Sequence, residues 1–159
     1  MKNKLYIMVG CPGSGKTTYA KKHFSNAVYV SRDEIRFDLV SENEEYFSKE
    51  DEVFKIFTDK INEGLRESLD VVVDATHLNP KSRMKLFSNL KIDKEKTEII
   101  AITMRTPLNV CLERNKNRKG TRSYVPPDVI KRMYASFKIP NTEECYGMID
   151  IVKNIYTKR

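Results

Sequence analysis

Gly10-Cys11-Pro12-Gly13-Ser14-Gly15-Lys16-Thr17 decides how this chain is read. It satisfies G-x-x-x-x-G-K-[ST] at every fixed position. Before it, Leu5-Tyr6-Ile7-Met8-Val9 is an apolar run of strand length, and Thr17 to Phe24 can continue as a helix. A strand that feeds a glycine-rich loop, which then opens a helix, aims backbone N–H groups at phosphate oxygens. Gly10, Gly13 and Gly15 permit the turn geometry and close approach of such a cradle. Lys16 then reaches the β- and γ-phosphates, and Thr17 offers its hydroxyl to Mg²⁺. The expected donor is ATP with Mg²⁺. Thr18, next in the chain, joins Gly10 to Thr17 as a candidate nucleotide-binding residue.

Outward from the loop, strand and helix signals alternate. Ala27-Val28-Tyr29-Val30 reads as a second strand, and Ser31-Arg32-Asp33-Glu34 as a capping box opening a helix to about Val40. Ser41 to Tyr46 is an acidic loop. Ser48-Lys49-Glu50-Asp51 is the expected start of a longer helix carrying Val53, Phe54, Phe57, Ile61 and Leu65. Val71-Val72-Val73 is a β-branched strand ending in Asp74. Asn79-Pro80 places a capping side chain before a proline at the first helical position. A strand over Glu98 to Met104, helices from Pro107 and from Pro126-Pro127, a strand over Met148 to Val152 and a tail from Asn154 complete the reading. Alternation of this kind builds a parallel sheet with helices on both faces. The fold expected is an α/β, P-loop kinase-like three-layer sandwich, with five parallel strands in the order 2-3-1-4-5.

With 159 residues, 40% hydrophobic and 32% charged, the chain suits one soluble domain. No apolar run is long enough for a signal core or a membrane span. Cys11, Cys111 and Cys145 include no C-x-x-C and read as free thiols of a reducing cytoplasm. The net charge is +7, and Arg114, Lys116, Arg118, Lys119 and Arg122 supply five of those charges within one short stretch. Such a cluster suits phosphates, whether of ATP or of a polynucleotide.

Phosphoryl transfer needs a metal anchor, a base for the acceptor, positive charge on the moving group and exclusion of water. Asp74, at the end of a buried strand, is the candidate metal-side acid with Thr17. Asp33 leaves the second strand beside the loop and can accept the proton of an acceptor hydroxyl. Arg36, one helical turn on, can hold an acceptor phosphate. Residues 114–125 form a glycine-containing connection suited to a lid, from which Arg118 reaches the transferring phosphoryl. His23 and His77 are not expected to act catalytically, because phosphoryl transfer is mostly positioning and electrostatics.

Taken together these pieces resemble the 5′-hydroxyl polynucleotide kinase domain of the polynucleotide kinase–phosphatase family, in its bacteriophage form. The matching stretches are Gly10 to Thr17, Ser31-Arg32-Asp33-Glu34-Ile35-Arg36, Asp74-Ala75-Thr76-His77-Leu78-Asn79-Pro80 with Arg83, and Arg114-Asn115 through Arg118 to Gly120-Thr121. Val125-Pro126 and Asp128-Val129 to Met133-Tyr134 follow, so the resemblance runs from about residue 4 to 138. It implies Asp33 as general base toward a 5′-hydroxyl, Arg36 on the acceptor's 3′-phosphate, Arg118 on the donor phosphates and Arg114 near the nucleotide. It further implies Thr76, Arg83 and Val125 on the acceptor side, with Val125 near its terminal base. Where the wider family has Asn in Asp-x-Thr-Asn, this chain has His77. It also carries one extra lid residue before Gly120.

The expectation is therefore a single domain over residues 1–159 that phosphorylates 5′-hydroxyl ends of DNA or RNA with ATP and Mg²⁺. Lys16, Asp33 and Arg118 are its catalytic candidates, and nucleic acid is its partner. No D-x-D-G-T segment is present, so no phosphatase domain is expected. Alternatives on the same scaffold are a small-molecule phosphotransferase for nucleosides, sugars or antibiotics, and a non-kinase NTPase. A nucleic-acid-binding module without catalysis is a further one, opposed by the intact loop.

Overall fold

The computed structural model describes residues 1–144 and 148–152; Cys145 and the tail from Asn154 to Arg159 lie outside the described residues. In chain order the elements are β1 (Asn3–Val9), α1 (Lys16–His23), β2 (Val28–Ser31), α2 (Arg32–Leu39) and α3 (Glu50–Arg66). There follow β3 (Val71–Asp74), α4 (Pro80–Ser88), β4 (Thr97–Met104), α5 (Leu108–Lys116), α6 (Pro127–Ser136) and β5 (Met148–Val152). The strands are parallel and lie in the order β2-β3-β1-β4-β5, as the alternation predicts.

Strand parity builds the layers. Leu5, Ile7 and Val9 of β1 join Val71 and Val73 of β3 on one face, against Phe57 and Ile61 of α3 and Leu86 of α4. Met8, Val72, Ile100 and Ile102 point to the other face, against Ala20 of α1. Each fully buried Val or Ile contributes roughly 1.5–3 kcal/mol, so β1 and β3 are fixed at the centre by the fully apolar runs read in the sequence. Gly64 interrupts the apolar pattern of α3 for a packing reason: a Cβ there would come within 2.7 Å of the Val71 side chain.

Helix starts follow local chemistry in two cases and not in a third. The Ser31 hydroxyl accepts from Glu34 N at 3.3 Å and begins α2. Asn79 accepts from Ser82 N at 2.9 Å, with Pro80 next, and begins α4. Ser48, expected to open the third helix, does not cap it; α3 begins at Glu50 after Lys49. The Glu50 carboxylate turns instead to Arg36 and Arg32.

Register then sets the site. Ile7 lies beside Val73, and Ser31 lies beside Asp74. The loop after β1, the end of β3 and the first turn of α2 therefore emerge together at the carboxyl edge of the sheet, where open α/β sheets bind ligands.

Candidate active site

The loop geometry rests on Gly13 and Gly15, whose φ values are +81° and +93°. At Gly13 space adds to torsion, because a Cβ would sit 2.7 Å from the carbonyl oxygen of Cys111 in α5. Three loop carbonyls are taken up by side chains. Lys16 Nζ donates to Cys11 at 3.0 Å, Arg114 to Gly13 at 3.1 Å and the Thr106 hydroxyl to Ser14 at 2.7 Å. The loop base is tied to the end of β3 by Gly10 N donating to Thr76 O at 3.0 Å.

Lys16 is buried, and that burial holds its ammonium below the ordinary lysine range; the Asp74 and Asp33 carboxylates act the other way. The charge relation places both acids near the amine. Thr17 Oγ1 donates to Asp74 Oδ2 at 2.6 Å, and the Tyr29 hydroxyl donates to the same oxygen at 2.5 Å. Burial, and then Asp74, push the Tyr29 phenol up, so it remains a donor. A hydroxyl and a 95%-buried carboxylate in contact beside a phosphate loop are the hard oxygen donors Mg²⁺ takes, directly or through its waters. These residues fit that ion.

The acceptor side is a network. Asp33 is exposed on the first turn of α2, and its carboxylate meets Arg36 NH1 at 2.6 Å. Arg36 is buried and binds Glu50 through two N–H groups, at 2.5 and 3.0 Å. Burial works against the charged guanidinium, yet the bonds to Glu50 together with the charges of Tyr46, Glu50 and Asp33 outweigh it and hold the arginine above its usual range. Tyr46 Oη accepts from Arg36 at 3.0 Å and donates to Asp33 Oδ1 at 3.0 Å.

The basic segment after α5 folds back on itself. Asn115, 1% exposed, exchanges two bonds with the Val125 backbone, at 2.7 and 3.0 Å, and so closes the loop at its base. Inside it, Thr121 N and Oγ1 both bond the Arg118 carbonyl, and Gly120 has φ +89°. Burial raises the Cys111 thiol, while the charges of Lys16, Arg114 and Arg118 pull it down. Cys11 is buried, with its thiol pushed up to about 12, and is no nucleophile.

The structure thus brings Asp74 and Arg114 onto Gly10 to Thr17, with Asp33 and Arg36 paired at the same edge of the sheet; Arg118 lies in the segment after α5. Thr18 is exposed on α1, and Thr76 contributes its carbonyl. The half-buried Val125 side chain packs against Cys11, Leu78, Cys111 and Ile130. Arg83 departs from the acceptor-binding expectation: it is fully buried, bonded twice to Glu144 and once to the His77 carbonyl, and offers no edge to a substrate. His77 is buried with φ +46°, and its Nδ1 donates to Met8 O at 2.8 Å. Tyr29, Glu50 and Tyr46 had no role in the sequence reading. Tyr29 reads as part of the second strand, Tyr46 as part of the acidic loop, and Glu50 as part of the expected start of the third helix.

A parallel 2-3-1-4-5 sheet, a phosphate loop after β1 and acids at the end of β3 and after β2 define the P-loop kinase class. Within that class the chain belongs to the AAA_33 family, described as an AAA domain, whose profile matches residues 5–140. An L-seryl-tRNA(Sec) kinase of Methanococcus maripaludis is 32% identical over 92% of this chain and 57% of its own length. A bifunctional polynucleotide kinase/RNA ligase of Autographa californica nuclear polyhedrosis virus is 26% identical over 90% of this chain and 22% of its own. The chain thus spans about half, or less, of the curated relatives it matches. A chain in the Pnkp1/Rnl/Hen1 RNA repair complex superposes with a TM-score of 0.72 at 24% identity, covering 85% of this chain and 44% of that one. It shares the fold. No helix among the described residues is long and apolar enough to cross a membrane.

Proposed function

We propose that this chain is an ATP-dependent kinase that transfers the γ-phosphoryl group to the 5′-hydroxyl of DNA or RNA. The observation that carries the reading is the Asp33–Arg36 pair, 2.6 Å apart on α2, whose first turn leaves the same sheet edge as the loop. A carboxylate serves a hydroxyl, and a guanidinium one turn away serves a phosphate on the same molecule. Relatives named as polynucleotide kinases support the same acceptor class.

In this reading Gly10 to Thr17 cradle the donor phosphates, and Lys16 neutralises charge at the γ-phosphate. Thr17 and Asp74 would hold Mg²⁺, which would neutralise negative charge on the donor phosphates. Asp33 takes the proton as the acceptor oxygen bonds to phosphorus and the bond to the ADP oxygen breaks. Arg118 steadies the charge on the transferring group; an arginine in that role is worth about 10³–10⁵ in rate. The acceptor hydroxyl replaces the Tyr46 hydroxyl on Asp33, and its 3′-phosphate takes Arg36 from Asp33.

A second reading is favoured by one observation, the 32% identity to an L-seryl-tRNA(Sec) kinase. There the acceptor is a hydroxyl carried on RNA, which asks the same things of Asp33. Incubation with radiolabelled ATP and Mg²⁺, offering 5′-hydroxyl DNA, 5′-hydroxyl RNA, seryl-tRNA and gluconate in parallel, separates the readings. Label on the oligonucleotides is expected. Label on seryl-tRNA or gluconate alone overturns the 5′-hydroxyl assignment.

A further inference from the structure

Beside Asp33 lies a cluster of rings and guanidinium groups that neither the loop nor the metal site uses. The Phe37 and Tyr46 rings are 6.4 Å apart, edge to face, and Tyr46 and Phe47 are 4.7 Å apart at 89°. Arg36 lies over both Tyr46 and Phe47, at 4.7 and 5.5 Å from their centroids. Arg122 lies over Phe37 at 4.7 Å. The array runs from the basic segment across α2 to the residues before α3. Its outer members are open: Tyr46 is 36% and Phe47 62% exposed.

A lone exposed phenylalanine is ordinary. This one is held. Arg36 is fixed by two bonds to Glu50, and Tyr46 by its bond to Arg36, contacts that remain when the acceptor takes Asp33. The ring next to them is therefore presented in a set geometry, and little entropy is lost when a ligand lies on it. Through Tyr46 it is also joined to the carboxylate assigned to the acceptor hydroxyl. Aromatic rings mixed with guanidinium groups are what single-stranded nucleic acid meets on its proteins: rings take base faces, and cations take the phosphates between them. A small polyol has no flat face to lay there.

We propose that Phe37, Tyr46 and Phe47, interleaved with Arg36 and Arg122, form a stacking platform for an unpaired base at the acceptor's 5′ end, and that the base lies on Phe47. The proposal rests on the nucleic-acid acceptor read above. Stacking tolerates any base, because each has a π-face. The platform therefore selects a single-stranded 5′ end without selecting its sequence.

The test compares kcat/KM for a 5′-hydroxyl oligonucleotide with that for the same strand made abasic at its first or second nucleotide. For the unaltered protein the abasic strand should be about 5- to 150-fold poorer at one of those positions. Phe47→Ala should lose a similar factor on the normal strand and show no further abasic penalty, while Phe47→Trp restores the penalty. ATP affinity should be the same in all three proteins, since Phe47 is exposed and the donor is read as held by Gly10 to Thr17. Equal use of normal and abasic strands by the unaltered protein overturns the platform, as does an abasic penalty that survives in Phe47→Ala. Binding of a strand with 2-aminopurine at those positions separates this from the transfer reaction. Quenching with the unaltered protein, lost in Phe47→Ala, supports the platform even where no phosphate is transferred. No quenching overturns it.

Discussion

Arg122 reaches out of the basic segment and donates to the carbonyl of Val40, the residue that closes α2. A second N–H goes to the Phe37 carbonyl at 3.1 Å. Carbonyls at a helix end lack intrahelical partners and carry partial negative charge, so a guanidinium suits them doubly. The segment expected to cover the nucleotide is thereby bonded to the helix that carries Asp33 and Arg36. Arg122→Ala is predicted to lower stability by about 1–3 kcal/mol in denaturant titration and to speed hydrogen exchange over residues 117–125. Arg122→Lys should recover only part of this, having no fork to span two carbonyls. Unchanged exchange in Arg122→Ala would show that the contact does not hold the segment.

Asp33 is more than half exposed, so its replacement tests chemistry with little risk to the fold. Asp33→Asn keeps the shape and an oxygen for Arg36 and Tyr46. It should bind ATP as before and lose phosphoryl transfer by about 10²–10⁴, the usual worth of a general base. Full transfer by this variant would remove Asp33 from that role.

Asp74 Oδ2 is aimed by two donors, Thr17 and Tyr29, at 2.6 and 2.5 Å. Tyr29→Phe removes one of them without emptying the space. A partner that orients a metal-side ligand is typically worth about 10–100-fold in metal affinity. Mg²⁺ titrations of both turnover and fluorescent-ATP binding should shift to higher concentration by a factor in that range, with a larger shift for Asp74→Asn. An unshifted titration in both variants would place the ion elsewhere.

The layers of this fold were legible because burial leaves a plain trace. Fully apolar Val71-Val72-Val73 can only be a central strand, and Asn79-Pro80 states its own helix start. The donor half of the site was legible for a similar reason, since the phosphate loop is contiguous in sequence. The acceptor half was legible only as Asp33 and Arg36. Glu50 and Tyr46, which fix Arg36, come from a segment whose acids and aromatics carry no periodic signal. Arg83 is assigned to the acceptor by the family resemblance alone, and nothing local marks its burial, because its partner Glu144 lies 61 residues away.

That pairing has a measurable consequence. Arg83 is fully buried and Glu144 mostly so, with N···O at 2.7 Å. Removing one member strands a charge in the interior. Arg83→Ala is predicted to destabilise by about 3–5 kcal/mol in chemical denaturation. At a temperature where it remains folded it should retain KM for the acceptor, because no edge of Arg83 meets a substrate. A raised acceptor KM in folded protein would return Arg83 to the binding site.

His77 gives the fold a pH dependence of determined sign. Burial pushes its imidazole down to about 4 from an ordinary value of 6.5, and the ring donates from Nδ1 to the Met8 carbonyl. Both states are neutral there above pH 6.5. As pH falls toward 4, the unfolded chain takes up a proton that the folded chain refuses, so stability falls with pH across that window. The loss approaches about 3 kcal/mol at pH 4. Asn tolerates the left-handed backbone of this position, and its amide can donate to the same carbonyl. His77→Asn should therefore fold and flatten the fall in unfolding free energy between pH 6.5 and 4. If the slope across that interval is the same in both proteins, His77 is not the group that sets it, and other buried titrating groups must be sought.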